Sequence, residues 1–214
     1  MSRPSSDFFA FVGLPIQRRT RVIAAVLCVP LLLSFLFPLW RISMEAPQYP
    51  DGLFMDIWSY QLTGGADGQH IQEINTLNHY IGMQQITREE LADLDWMPFA
   101  LGALALLCLR SALIGNVRSL IDLTMISTYV SVVALGRFVY VLYQFGHDLD
   151  PKAPMDVEPF TPVVFGSKQI ANFTTHSYPR AGAVLVGVFI GGLWLITLYE
   201  LWRGRRAARA DPAA

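Results

Sequence analysis

Residues 22–40 read VIAAVLCVPLLLSFLFPLW, about 19 residues without a charge. That is close to the ~20 apolar residues an α-helix needs to cross a ~30 Å hydrocarbon core. Three further stretches behave similarly. Trp96 to Ile114 carries Arg110 near one end, where a long side chain reaches the lipid headgroups. Leu120 to Tyr143 holds Asp122 and Arg137, and Ala181 to Leu201 is again of spanning length. The chain of 214 residues is 53% hydrophobic and only 15% charged, against about 25% charged in soluble domains. The expectation is an all-α membrane protein: a four-transmembrane-helix bundle forming one membrane domain over 1–214. Its spans fall at about 22–40, 96–114, 120–143 and 181–201.

The first span reads as an uncleaved anchor. Arg18, Arg19 and Arg21 precede it, as in a signal peptide, but the run exceeds the 7–15 residues typical of such a segment. Pro38-Leu39-Trp40 is no small-residue cleavage site, and Leu27 before Cys28 is wrong for lipoprotein processing. Cys28 and Cys108 fall within spans, so neither connecting loop carries a disulfide framework. Both read as small buried apolar residues, with a thiol pair on adjacent helices as the alternative.

Orientation follows from Lys and Arg. One side collects Arg3, Arg18, Arg19, Arg21, Arg118, Arg203, Arg205, Arg206 and Arg209, with Arg110 at its border. The other has Arg41, Arg88, Lys152, Lys168 and Arg180. The positive-inside rule then predicts tails 1–21 and 202–214 in the cytoplasm, and loops of about 41–95 and 146–180 on the outer face. Most acids lie in those outer loops, which favours cations and disfavours nucleic acid as a partner.

The first outer loop opens with the extended segment Ala46-Pro47-Gln48-Tyr49-Pro50-Asp51-Gly52. Leu53 to Leu62 reads as a strand, Thr63 to Gly68 as turn chemistry, and His70-Ile71 as a further extended piece, together a small β-hairpin. Ile74, Leu77 and Ile81 share a helical face, which predicts a short helix over 73–83. Thr87 and Glu90 fit a capping box for a helix leading into the second span. The second loop, with Pro151, Pro154, Pro159, Pro162 and Pro179, is expected to be mostly irregular. One or two helical turns are expected near 166–173. Asn172-Phe173-Thr174 matches a glycosylation sequon.

Familiar catalytic patterns are missing: no Walker loop, Rossmann glycines, HExxH, CxxC or G-x-S-x-G. The chain does not read as an enzyme. All four histidines, His70, His79, His147 and His176, lie in the outer loops, with Met44, Met55, Met83 and Met155 there too and Met97 at the border. Imidazole and thioether are the donors that copper sites use. His79 and Met83, four residues apart, would share a helical face, with Glu73 as a further or supporting ligand. Next to His147, Asp148 is placed to orient an imidazole. The ordinary reading is that surface loops simply collect histidines and that Met83 is core. Arg137 reads either as a functional charge in a span or as an interfacial side chain among tyrosines, paired with a loop carboxylate. Asp122 reads as an acid at a helix start.

Glu45-Ala46-Pro47-Gln48-Tyr49-Pro50 with Gly52-Leu53, then Ile74-Asn75 and Leu77-Asn78-His79-Tyr80-Ile81-Gly82-Met83, resembles a largely uncharacterised bacterial family of small four-helix membrane proteins. Gly146-His147-Asp148-Leu149-Asp150-Pro151, Gly166-Ser167-Lys168-Gln169 and Asn172-Phe173 agree. The resemblance covers most of the chain after the first span. It implies association with nitrous-oxide reductase accessory systems and copper handling, with His79, Met83 and His147 as the favoured ligands. The leading expectation is therefore a non-enzymatic accessory protein, anchored in the lipid bilayer, that handles copper at the periplasmic face. A copper chaperone or a cuproenzyme such as nitrous-oxide reductase would be its partner. A structural or assembly subunit of a membrane complex, and a small transporter using Arg137, are the alternatives.

Overall fold

The computed structural model describes residues 11–155, 157–170 and 173–210. Arg3, and Asn172 of the sequon, lie outside the described residues. The helices are α1 (Arg18–Leu33), α2 (Gln69–Tyr80), α3 (Asp93–Ile114), α4 (Val117–His147) and α5 (Ala181–Ala210), and the strands are β1 (Trp40–Ala46), β2 (Tyr49–Ile57), β3 (Leu62–Gly64), β4 (Gly166–Ile170) and β5 (Phe173–Pro179). Among the described residues, four helices are long and apolar enough to cross a membrane: α1, continued to Leu36 by a 3-10 turn, and α3, α4 and α5. The chain is a multi-pass membrane protein. Contacts divide the chain into two compact units, residues 1–33, 100–131 and 185–214 in one and 34–99 and 132–184 in the other.

The first, helical unit packs small and medium apolar side chains inward. Ala24, Cys28 and Leu31 of α1, Leu104 and Cys108 of α3, Leu120 of α4, and Phe189 and Leu193 of α5 are buried, while Val22, Val26, Leu106, Leu113 and Leu195 are exposed. Exposed apolar residues suit a helix whose solvent is lipid. The interior polar groups pair across helices: Thr124 and Thr197 hydroxyls meet at 2.8 Å, and Trp194 Nε1 donates to Thr128 at 3.0 Å. Arg21 donates to the terminal carbonyls of Ala112 and Leu113, which would otherwise lack partners at the C-terminus of α3. Gly115, at φ +67°, ends that helix with its N–H on Ser111. The Glu200 carboxylate is buried, accepts from Thr20 and the Gln17 N–H, and lies 2.8 Å from Arg203.

The second, sheet unit goes beyond the expected all-α bundle with a small hairpin in its first loop. Residues from both connections form one antiparallel five-stranded sheet in the order β3-β2-β1-β5-β4. The central strand β1 pairs with β2 (Ile42 opposite Met55) and with β5 (Ile42 opposite Ser177). Of residues 166–173, expected to be helical turns, Gly166–Ile170 is β4 and Phe173 starts β5, while 171–172 lie outside the described residues. Residues 70–71, expected to be extended, open α2. The first span stops short of Trp40, which already belongs to β1. The capping bond at Thr87 is present, from the Glu90 N–H at 3.4 Å, but it closes only a turn, and α3 starts at Asp93.

Side chains alternate across the sheet, as pleating requires. One face carries Ile42, Met44, Leu53, Met55 and Ile57, and Ile74 of α2 packs on Leu53 and Met55. The other carries Arg41 and Asp56, joined by a two-pronged ion pair with Nε–Oδ1 at 2.7 Å, and Arg41 also lies over the Phe54 ring. Tyr49 donates to Glu73, tying α2 to β2. The hydrogen bond that the Tyr49 phenol donates to Glu73 raises its pKa by favouring the protonated form, and burial and the neighbouring negative charge act in the same direction.

Helix α4 has 31 residues, about 46 Å at ~1.5 Å per residue. That exceeds a ~30 Å hydrocarbon core. Its last part, from Val132, belongs to the sheet unit, where Trp40 packs on Phe138 at 5.1 Å between ring centroids. Arg137 is there, its Nε 3.1 Å from Asp93 and its guanidinium over Tyr140. It is a paired charge among tyrosines. Asp122 is exposed and lies 4.0 Å from Arg118, one turn earlier.

Candidate metal centre

The four histidines divide into two pairs. His70 Nδ1 accepts from the Phe54 N–H at 3.2 Å, and its ring stands edge-on to Phe54. His176 Nδ1 lies 2.6 Å from Ser167 Oγ, with Nε2 3.7 Å from Glu45 across the sheet. Both imidazoles are built into the sheet unit. His147 ends α4; its Nδ1 is 3.0 Å from the Tyr143 carbonyl and its ring stacks on Tyr143 at 3.8 Å. With Nδ1–H donated to that carbonyl, Nε2 carries the lone pair a metal takes, which is how ligating histidines are commonly oriented. His79 is exposed near the end of α2, and among the described residues no hydrogen bond to its ring is seen. His79 and His147, the latter with only Nδ1 bonded, thus stand at helix C-termini, where the backbone dipoles favour a cation.

The expected pairing of His79 with Met83 on one helical face does not form. Helix α2 ends at Tyr80, and Gly82 takes φ +78°. The Gly82 N–H bonds the His79 carbonyl and the Met83 N–H bonds the Asn78 carbonyl at 2.9 Å. This is the glycine-closed ending in which the chain reverses after the helix. It turns Met83 onto a cavity wall while His79 stays exposed. Glu73 is committed to Tyr49.

The segment after α2 is stitched to the segment after α4. Asp150 N–H donates to the Gly82 carbonyl at 2.8 Å, Met155 N–H to the Tyr80 carbonyl at 3.0 Å, and Gln84 Nε2 to Asp148 Oδ2 at 2.8 Å. A Cβ at Gly82 would lie 2.9 Å from the Asp150 carbonyl. So Asp148, expected to orient His147, instead holds Gln84. The junction brings the end of α2, next to His79, to the end of α4, next to His147.

Within the sheet unit is a cavity of about 150 Å³ with an almost wholly apolar lining. Met44, Met55, Met83 and Met97 all line it, with Phe138 and Phe145 from α4. These are four of the six methionines among the described residues. No known protein family, curated protein or solved structure matches this chain. Among the described residues no three His, Cys, Asp or Glu side chains converge as a metal group.

The sequence places Met44 and Met55 in the outer loops and Met97 at the border as soft donors, but does not show that they line one cavity. The signal that unites Met44 and Met55 is period-two alternation in Trp40–Ala46 and Tyr49–Ile57, once those strands pair. Cys28 and Cys108 are buried and free, each thiol touching the other helix's backbone: Cys28 Sγ to Ala105 O at 3.7 Å and Cys108 Sγ to Ala24 O at 3.1 Å.

Proposed function

We propose that this protein is a non-catalytic accessory protein that handles copper at the periplasmic face of a bacterial inner membrane. Its termini lie in the cytoplasm, and it passes the ion to or from a copper chaperone or a cuproenzyme of the nitrous-oxide reductase kind. The observation that carries the reading is the division of the histidines. Two are bonded into the sheet, while His79 and His147 keep nitrogens free at helix ends joined by one hydrogen-bonded junction. Imidazole with thioether is a copper donor set. Met83, between the two helix ends in the chain path, belongs to the same proposal as a softer ligand turned inward. The orientation rests on the excess of arginine flanking the other ends of the spans. The Arg137–Asp93 pair supplies a local partner for the span charge, which removes the main support for a transport path.

The test is a Cu(I) titration of the purified full chain in detergent against a competing chelator. His79→Ala/His147→Ala is expected to weaken binding at the imidazole position by about tenfold or more, tenfold being ~1.4 kcal/mol. Equal affinities of wild type and variant overturn the proposal.

A further inference from the structure

Methionine in a core is normally a pliable filler. In the sheet unit it does something different: four methionines surround space that remains open, about 150 Å³ of it. Each is mounted on a fixed element. Met44 and Met55 stand on adjacent strands, Met44 opposite Leu53 and Met55 opposite Ile42, so they are diagonal neighbours on one face. Diagonal neighbours lie roughly 7–8 Å apart at the backbone, within reach of two long thioether side chains closing on a shared point. Met97 comes from the second turn of α3, and Met83 from the residue after the glycine that ends α2. Asp93 is the one carboxylate among the described lining residues, and its Oδ1 already accepts from Arg137 and Trp96.

We propose that this cavity is a thioether site for a soft monovalent cation, Cu(I), distinct from the His79 and His147 imidazoles. This deepens the copper-handling reading and rests on it for the identity of the ion. Thioethers are neutral and soft. They discriminate for Cu(I) over Zn(II), Mg(II) and Ca(II), which prefer nitrogen, thiolate or oxygen donors. An apolar wall keeps out the water that would compete for the ion. Binding three or four neutral sulfurs leaves one positive charge; the carboxylate on the wall, Asp93, is already paired with Arg137, so the sulfurs and not a local anion hold the ion. No proton is released and no electron moves, so the step needs no co-reactant.

The experiment uses the full chain in detergent, labelled with 13C at the methionine methyl groups. Ag(I) serves as a redox-inert probe, and assignment comes from single Met→Leu changes. One equivalent of Ag(I) is expected to shift the methyl signals of Met44, Met55, Met83 and Met97 and leave those of Met125 and Met155 in place. Unmoved signals for Met44, Met55 and Met97 overturn the thioether site. That readout is on the wild-type chain, so it does not depend on a variant folding. In parallel, Met44→Leu/Met55→Leu, which nearly conserves volume, is expected to lose one Cu(I) equivalent while His79→Ala/His147→Ala retains it with sulfur-only scatterers in X-ray absorption. A histidine variant that binds like wild type, beside a methionine variant that loses its ion, sinks the imidazole reading and leaves this one standing. The converse sinks the thioether site alone.

Discussion

The helical unit and the sheet unit are built on opposite rules. In the helical unit the apolar side chains point both ways, inward to Leu31, Leu120 and Phe189 and outward as Val26, Leu106 and Leu195. Hydrophobicity there says only that the solvent is lipid. Specificity comes from a few polar contacts such as Thr124–Thr197. In the sheet unit, inside and outside differ. Leu53, Met55 and Ile74 are buried, and the opposite face holds the Arg41–Asp56 pair. Order there comes from a strand ladder that sets Met44 beside Met55, and helix α3 brings Met97 to the same cavity. The first unit meets lipid with apolar residues on every side, and the second separates a buried apolar face from a polar one.

The comparison breaks first at Leu53, which is 4% exposed in the centre of the small sheet core. Leu53→Ala is expected to cost about 3 kcal/mol, a lost transfer term plus a cavity. Hydrogen exchange should show β1 and β2 amides losing protection while amides of α1 keep theirs. Equal loss in both would mean the units do not differ in what holds them. Next is Gly82→Ala. It places a Cβ against the Asp150 carbonyl and forces φ +78° on alanine, at a cost of about 2 kcal/mol. It should loosen the junction after α2 and α4 and weaken Cu(I) binding by His79 and His147. Unchanged copper affinity would detach the junction from the site. The smallest effect belongs to the helical unit. Thr124→Val/Thr197→Val removes both hydroxyls of one interhelical bond and should shift stability in a denaturing-detergent titration by under about 1 kcal/mol.

The spans were legible because each one-sided statistic, apolar length without charge, is also the physical requirement for crossing lipid. The ends were less so: α4 continues to His147 because its later turns pack on Trp40 and the cavity. Strands β1, β4 and β5 were illegible for a different reason. The buried positions of β5 are Thr175 and Ser177, polar residues with no apolar alternation to announce a strand. Ser177 is satisfied by Trp40 Nε1 and by donating to the Val164 carbonyl. Its partner strand β1 is more than 130 residues away, as the Trp40–Ser177 bond shows by a separation of 137. Non-local pairing leaves no local signature. The end of α2 could have been read from Gly82, which in a helix-ending position takes the left-handed conformation. That glycine is what parts Met83 from His79. His70 and His176 are held by hydrogen bonds to the Phe54 N–H and to Ser167, a distinction that the sequence pattern does not carry.

The most direct measurement asks which side the sheet unit faces. Cys28 and Cys108 are buried, so a single added thiol is readable in intact cells. Gln72→Cys on the exposed side of α2, and Arg205→Cys near the far end of α5, are both at exposed positions. A membrane-impermeant maleimide is expected to label Gln72→Cys in intact cells and Arg205→Cys only after permeabilisation. The reverse pattern would put the imidazoles and the methionine-lined cavity in the cytoplasm and contradict periplasmic copper handling.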